Sequence, residues 1–344
     1  MEQTRTEIAD FGEFGLIHHL TKNNETQQAS TMVSVGDDAA VIDHFGRQTV
    51  ITTDMLVEGI HFDLAYTPLN HLGYKAVVVN LSDICAMMAV PTHITVSIAL
   101  SNRFSVEALE DFYEGIYTAC QQYGVDLVGG DTSTSPKGFF ISITAIGEVV
   151  PGQYVTRSGA KPGDLLCVTG NLGSAYLGLQ LLEREKRIVA ENQNVVPNFE
   201  GHNDLLKRFL APVARLDIVE WLHENNIVPS AMIDISDGLS SEILHLCQKS
   251  EVGCLLFEEK IPISQEAKEV ALQFNMNPST CALSGGEDYE LLFTIPQSYY
   301  EAIADSETIT IIGYMTPPES GVYMQTPSGN KYALKAQGWN AFSE

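Results

Sequence analysis

The sequence predicts an α/β (α+β) protein of two domains, each a mixed or antiparallel sheet covered by helices. Three observations lead there. The chain has 344 residues, beyond the size at which a single hydrophobic core usually stops growing. Short β-branched runs alternate with longer segments of helical periodicity along its whole length. Pro151–Gly152 and Lys161–Pro162–Gly163 punctuate the middle, so a boundary is expected near residue 150, with domains at 1–150 and 151–344.

In chain order, Glu13–Leu20 has the pattern of a short helix. Gln48–Thr53 (QTVITT) is β-branched and predicts a strand that delivers Asp54 at its tip. Asn70 caps a helix expected through Met88, with Leu72, Ala76, Val79 and Ile84 on its apolar side, and Pro91 stops it. His93–Leu100 predicts a strand, Val106–Tyr123 a helix closed by Gly124, and Phe139–Val149 another strand. GGDTSTSP at 129–136 reads as a turn carrying Asp131 after the apolar Val125–Val128 run. The second half restarts with a strand at Leu165–Thr169 and a helix at Ser174–Glu183. TGNLGSA at 169–175 joins them as a strand-to-helix turn, since it lacks the third glycine of GxGxxG and the lysine of a P-loop. Residues 186–204 read as a polar surface excursion. Pro212–Asn225 and Leu239–Lys249 predict helices; Met232–Ile235, Gly253–Phe257, Tyr289–Ile295 and Thr308–Ile312 predict strands.

Charge narrows the function. A net charge of −25 argues against a nucleic-acid binder, which neutralises phosphates with clustered Lys and Arg. A small phosphorylated ligand stays open, because bound metal ions reverse the local field. The six cysteines (85, 120, 167, 247, 254, 281) form no CxxC pair and read as small core residues. MEQTRTEIADFGEFG lacks the basic-then-apolar pattern of a signal peptide. The apolar Ala76–Leu100 stretch is interrupted by Asn80, Asp83, Pro91 and His93, so it reads as a buried helix and strand, not a membrane span. A cytoplasmic protein is expected.

The carboxylates carry the chemical signal. Asp37 and Asp38 (SVGDDAAVI), Asp54 (TTDMLVEGIHF), Asp83 (NLSDICAMM), Asp131 (GGDTS), and Asp234 and Asp237 (IDISDGL) each sit beside or near Gly, Ser or Thr and close to an apolar segment. Any one of them alone is a cap or a solvated turn residue. If several converge at the inner ends of elements, they stay ionised only with a compensating cation. Oxygen donors without Cys or His suit Mg²⁺ or Mn²⁺, and the DxDxDG calcium loop is absent.

Anion donors accompany them. The amides of GGD at 129–131, of SGG at 284–286 and of the helix after SDG are candidate phosphate contacts. Arg157, in TRSGAKPGD, is either a bidentate phosphate ligand or a linker salt bridge. His61 is a packed residue beside Phe62 or a substrate contact. Trp339 pins the C-terminus or offers an aromatic plate to a heterocycle. Of Glu287 and Asp288, one is suited to contact a ligand and the other to cap the turn.

GEFGLI at 12–17, VGDDAAV at 35–41, TTDMLVEGIHF at 52–62, KAVVVNLSDICAM at 75–87, LVGGDT at 127–132, TRSGAKPGD at 156–164, IDISDGL at 233–239 and LSGGEDYELLFT at 283–294 run almost from end to end. In that order they resemble the thiamine-monophosphate kinase family. It belongs to the two-domain ATP-binding group that includes aminoimidazole ribonucleotide synthetase, selenophosphate synthetase and HypE. The resemblance implies the two-domain architecture of that group. It also implies ATP-dependent phosphorylation of thiamine monophosphate to thiamine diphosphate, the last step of thiamine diphosphate biosynthesis, with ADP as co-product. By the same resemblance, Asp38, Thr52, Thr53, Asp54, Asp83, Asp131, Asp234 and Asp237, with Asp37 beside them, correspond to a set binding several magnesium ions. Gly130, Asp131, Arg157 and Ser236 correspond to ATP contacts, and His61, Glu287 and Trp339 to substrate contacts. Asp54, Asp131, Arg157 and Asp237 are the residues expected to carry the transfer. A homodimer formed through the N-terminal ATP- and metal-binding domain is implied, the C-terminal domain completing the phosphate and substrate sites. After GGDT the family often has a further Thr and a basic residue, whereas this chain has STSPKG with Lys137 displaced. The competing readings are a related ATP-dependent synthetase acting on another acceptor and a non-catalytic acidic metal- or nucleotide-binding scaffold.

Overall fold

The computed structural model describes residues 19–33, 41–42, 46–192 and 195–335. Its contacts divide the chain into two compact units: Met1–Ile84 with Ala89–Gly152, and Cys85–Met88 with Gln153–Glu344.

The first unit is built on a four-stranded sheet of β3 (Gln48–Val57), β4 (Val90–Leu100), β5 (Asp126–Thr134) and β6 (Phe140–Val149), in the order β3-β6-β4-β5. β6 lies antiparallel to β3 and β4, while β4 and β5 are parallel. Two short strands, β1 (Thr31–Val33) and β2 (Val41–Ile42), pair separately. The helices α1 (Leu69–Ala86) and α2 (Val106–Tyr123) cover one sheet face. There Phe112 meets Phe139 at 5.2 Å between ring centroids, over buried Ile141 and Ile143. α2 starts where Ser105 accepts the Ala108 N–H and stops at Gly124 in the left-handed conformation, as the sequence predicts.

The second unit has seven strands in the order β13-β12-β9-β11-β7-β10-β8. They are β7 (Leu165–Thr169), β8 (Ala231–Asp234), β9 (Gly253–Phe257), β10 (Leu291–Ile295), β11 (Ile309–Thr316), β12 (Val322–Gln325) and β13 (Lys331–Ala333). Among its described residues only β12 and β9 pair in parallel. Helices α3 (Ser174–Glu191), α4 (Asn203–Leu210), α5 (Leu216–Glu224), α6 (Leu239–Ser250), α7 (Gln265–Gln273), α8 (Pro278–Ser284) and α9 (Tyr300–Ile303) complete it. Its main core packs Val168, Ile233, Leu292 and Ile312 of the sheet with Leu239 and Ile243 of α6. All six cysteines are buried and unbridged.

Three expectations need correction. Residues 129–134 are strand, not turn, because β5 pairs with β4 through Leu100↔Thr134. β3 continues to Val57, so Asp54 lies within a strand. α3 extends to Glu191 and α4 begins at Asn203, so part of the expected surface excursion is helical; its Glu, Arg and Lys residues are good helix formers. The expected helix Glu13–Leu20 lies mostly outside the described residues.

Candidate active site

In the first unit, ten residues of β3 pair with β6, from Gln48↔Val149 to Val57↔Phe140. Alternation puts Thr52 and Asp54 on one face. The Thr52 hydroxyl donates to Asp83 Oδ2 of α1 at 2.7 Å, and Asn80 Oδ1, one helical turn away, accepts the Asp54 backbone N–H at 2.8 Å. Three of the predicted oxygen donors therefore share a strand–helix junction. Thr53 takes the other face, where its hydroxyl donates to the Ile143 carbonyl and accepts from Thr144.

Asp131 belongs to a different row. The register runs Met55–Ser142–Ser97–Asp131, adjacent to Asp54–Ile143–Val96–Gly130, and adjacent rows face opposite ways. Gly130 has a packing reason to be glycine: a Cβ there would lie 1.8 Å from the Val96 carbonyl oxygen. Asp37 and Asp38 lie outside the described residues.

His61 sits in the turn after β3. Its Nδ1 accepts the Val57 N–H at 3.0 Å, and its backbone N–H donates to the Val57 carbonyl. Accepting at Nδ1 leaves the proton of the neutral ring on Nε2.

In the second unit, the ISDG and GGEDYE turns are stitched together. The Glu287 N–H donates to the Ser236 carbonyl at 2.7 Å, the Tyr289 N–H to Ile235, and the Ile235 N–H to Glu290. Glu287 and Tyr289 adopt positive φ, 63° and 50°, an arrangement that is costly for residues with side chains and is held by these bonds. Asp237 sits where its carboxyl is raised above its ordinary value. Burial is the main cause and nearby Glu287 adds to it, while His245 and Arg157 pull the other way. Ser236, Asp237, Glu287 and Arg157 are thus gathered in one neighbourhood, with buried Asp234 at the end of β8.

Sequence reading passes over Glu242, in the first turn of α6. One of its oxygens accepts the Asp237 N–H at 3.0 Å; the other is buried without a hydrogen-bond partner. Its carboxyl is pushed up to about 8, first by burial, with Asp237 and Asp234 contributing. The available signal was an acid four residues after an SDG–helix junction. Asp288 takes the capping alternative: it accepts the Gly173 and Ala175 N–H groups at the start of α3. The Gly285 amide donates to Cys281, so the SGG stretch does not offer all its amides to a phosphate. Trp339 lies outside the described residues.

The donor chemistry fits magnesium. The predicted ligands are hard oxygens, and the burial-raised Asp237 marks a place where added positive charge would relieve repulsion. Among the described residues no group of three or more His, Cys, Asp and Glu side chains is arranged to hold a metal ion. Magnesium tolerates that sparseness because it retains waters and takes phosphate oxygens as ligands.

Residues 36–149 match the AIR synthase related protein, N-terminal domain, family. Thiamine-monophosphate kinase of Aquifex aeolicus (strain VF5) is 36% identical over 336 residues, covering 97% of this chain and 99% of that protein. The Escherichia coli (strain K12) thiamine-monophosphate kinase is 33% identical over 341 residues, covering 96% and 98%. A solved structure of AaThiL complexed with AMPPCP and TMP is 34% identical with a TM-score of 0.74, covering 99% of this chain and 100% of that one. The hydrogenase maturation protein HypE in complex with ATP, at 20% identity and a TM-score of 0.72, covering 93% of this chain and 94% of that one, shares the fold.

Fold and site together define a two-domain α/β protein of the AIR synthase-like ATP-binding class. Within that class, the near-complete alignments leave a single assignment: the chain belongs to the thiamine-monophosphate kinase family.

Proposed function

We infer that this protein transfers the γ-phosphoryl group of ATP to thiamine monophosphate, giving thiamine diphosphate and ADP. The observation that carries this reading is the end-to-end similarity to thiamine-monophosphate kinases, including the relative complexed with AMPPCP, an ATP analogue, and TMP. An oxygen of the acceptor phosphate attacks the γ-phosphorus in line, the P–O bond to ADP breaks, and no protein base is needed because the attacking oxygen is already ionised. Magnesium, when bound, neutralises the phosphates and the charge developing on the transferred group.

In this reading Thr52, Asp54 and Asp83 hold magnesium at the strand–helix junction of the first unit, and Thr53 and Asp131 serve metal on the opposite face of the same sheet. Asp37 and Asp38 belong to the first unit's set, and Asp234 and Asp237 serve in the second. Gly130, Arg157 and Ser236 contact ATP, Arg157 as a fork on phosphate oxygens. His61, Glu287 and Trp339 contact the substrate, Trp339 beside a ring. The first unit is the ATP- and metal-binding domain and forms a homodimer. Ile51 and Met55, 65% and 58% exposed, lie on the sheet face away from α1 and α2, and an uncovered apolar sheet face favours a second copy. Among the described residues no helix is long and apolar enough to cross a membrane. Six unbridged thiols suit the reducing cytoplasm, where we place the protein.

Incubating the purified protein with ATP, Mg²⁺ and thiamine monophosphate tests the reaction. Equal yields of thiamine diphosphate and ADP are expected. Turnover only with a different acceptor would shift the reading to a related synthetase, and ligand binding without product to a scaffold.

A further inference from the structure

Between the turn after β3 and the turn before β6 lies a cavity of about 300 Å³, lined by Glu58, Gly59, Asp63, Lys137, Gly138 and Phe140. None of these residues belongs to the metal or phosphate sets above. Both turns are fixed to each other, since the Glu58 N–H donates to the Phe139 carbonyl at 3.0 Å. The cavity brings together two carboxylates, an aromatic ring and an ammonium; Asp63 is engaged by the Ala65 N–H in its own turn. Glu58 Oε2 is buried there without a hydrogen-bond partner, an arrangement that costs free energy unless something positive or hydrogen-donating completes it. Phe140, 37% exposed, offers an aromatic surface, and aromatic faces attract cations. Lys137, exposed in its turn, adds a mobile ammonium. No ion pair joins Lys137 to Glu58 among the described residues, so the two opposite charges line one space without cancelling each other.

We propose that this cavity recognises the cationic part of a zwitterionic phosphorylated substrate: Glu58 and Phe140 take a positively charged ring, and Lys137 takes the phosphate end. The proposal rests on the thiamine-monophosphate reading, since that molecule joins a cationic thiazolium to a phosphate, and His61 follows Glu58 in the same turn. It makes Glu58 and Lys137 specificity-determining residues. It also gives displaced Lys137 a role in place of the basic residue that follows GGDT in the family.

The test uses the full-length protein, with Glu58→Gln and Lys137→Ala as variants and thiamine, which carries the cation but no phosphate, as a second probe. In Glu58→Gln, KM for thiamine monophosphate and the dissociation constant of thiamine should both rise about tenfold or more, with KM for ATP within twofold of wild type. In Lys137→Ala, KM for thiamine monophosphate should rise while thiamine binding stays unchanged. Unchanged constants in both variants would overturn the proposal. So would an equal loss of melting temperature with KM intact, the signature of a simple Glu58–Lys137 pair. A wild-type protein that binds thiamine through Glu58 but makes no thiamine diphosphate would support the cavity and refute the proposed reaction, so the two failures are distinguishable.

Discussion

Asp288 is 1% exposed and still accepts two amides at the start of α3. Its carboxyl is pushed up to about 7 from an ordinary 3.8: burial raises it, Arg208 and the two amides oppose that, and Glu290 adds to it. The folded chain therefore holds a proton there that the unfolded chain has released. Between about pH 4 and 7 this group lowers stability as pH rises, by at most ~1.4 kcal/mol per pH unit. Asp288→Asn cannot titrate, so urea unfolding at pH 5 and pH 7 should show a smaller stability loss in the variant than in the wild type; equal losses would refute the assignment. Beneath it, Glu290 is bound by Arg208 at 2.7 Å, by Arg215 and by the Thr169 hydroxyl. Glu290→Gln would leave Arg208 without its carboxylate partner and Arg215 with only the exposed Asp217, and should cost roughly 3 kcal/mol in denaturant unfolding. A change below about 0.5 kcal/mol would show that the hub contributes little.

At the scale of elements, α1 and α2 cross where both carry glycine. A Cβ on Gly73 would lie 1.9 Å from the Phe112 carbonyl oxygen, and one on Gly115 1.8 Å from that of Asn70. Backbone atoms cannot step aside as a side chain tip can, so Gly115→Ala should force the helices apart and cost about 2 kcal/mol or more. Thermal unfolding within about 1 °C of wild type would contradict this close approach. Helix patterning was the more legible part of the sequence: Val106–Tyr123 and the β7 strand Leu165–Thr169 are observed with the predicted limits. GGDTSTSP has the composition of a turn, yet pairing along β4 makes its residues 129–134 strand, a tertiary preference that local propensity does not carry. The helix expected to stop before Pro91 ends at Ala86, and a bulge between Pro91 and His93 admits the proline to β4. The ordered motifs made the family legible. The Glu58–Lys137 cavity depends on turns meeting across the fold, which no local pattern encodes; the Glu242–Asp237 contact spans only five residues, but an acid in the first turn of a helix reads equally as a solvated end charge.

For the molecule as a whole, the function proposed above reconciles the charge of −25 with phosphorylated substrates through divalent cations held on scattered oxygens. If the uncovered face carrying Ile51 and Met55 joins two copies, Met55→Glu should halve the mass measured by light scattering while circular dichroism stays unchanged; a persistent dimer would place the interface elsewhere. The central claim is that the acidic side chains serve phosphoryl transfer through magnesium. It is tested most directly by the rate of thiamine diphosphate formation against Mg²⁺ concentration in wild type and Asp83→Asn. The variant should need at least about tenfold more Mg²⁺ for half its maximal rate, with an unaltered melting temperature. An unchanged Mg²⁺ requirement, or activity lost only in step with folding, would contradict it.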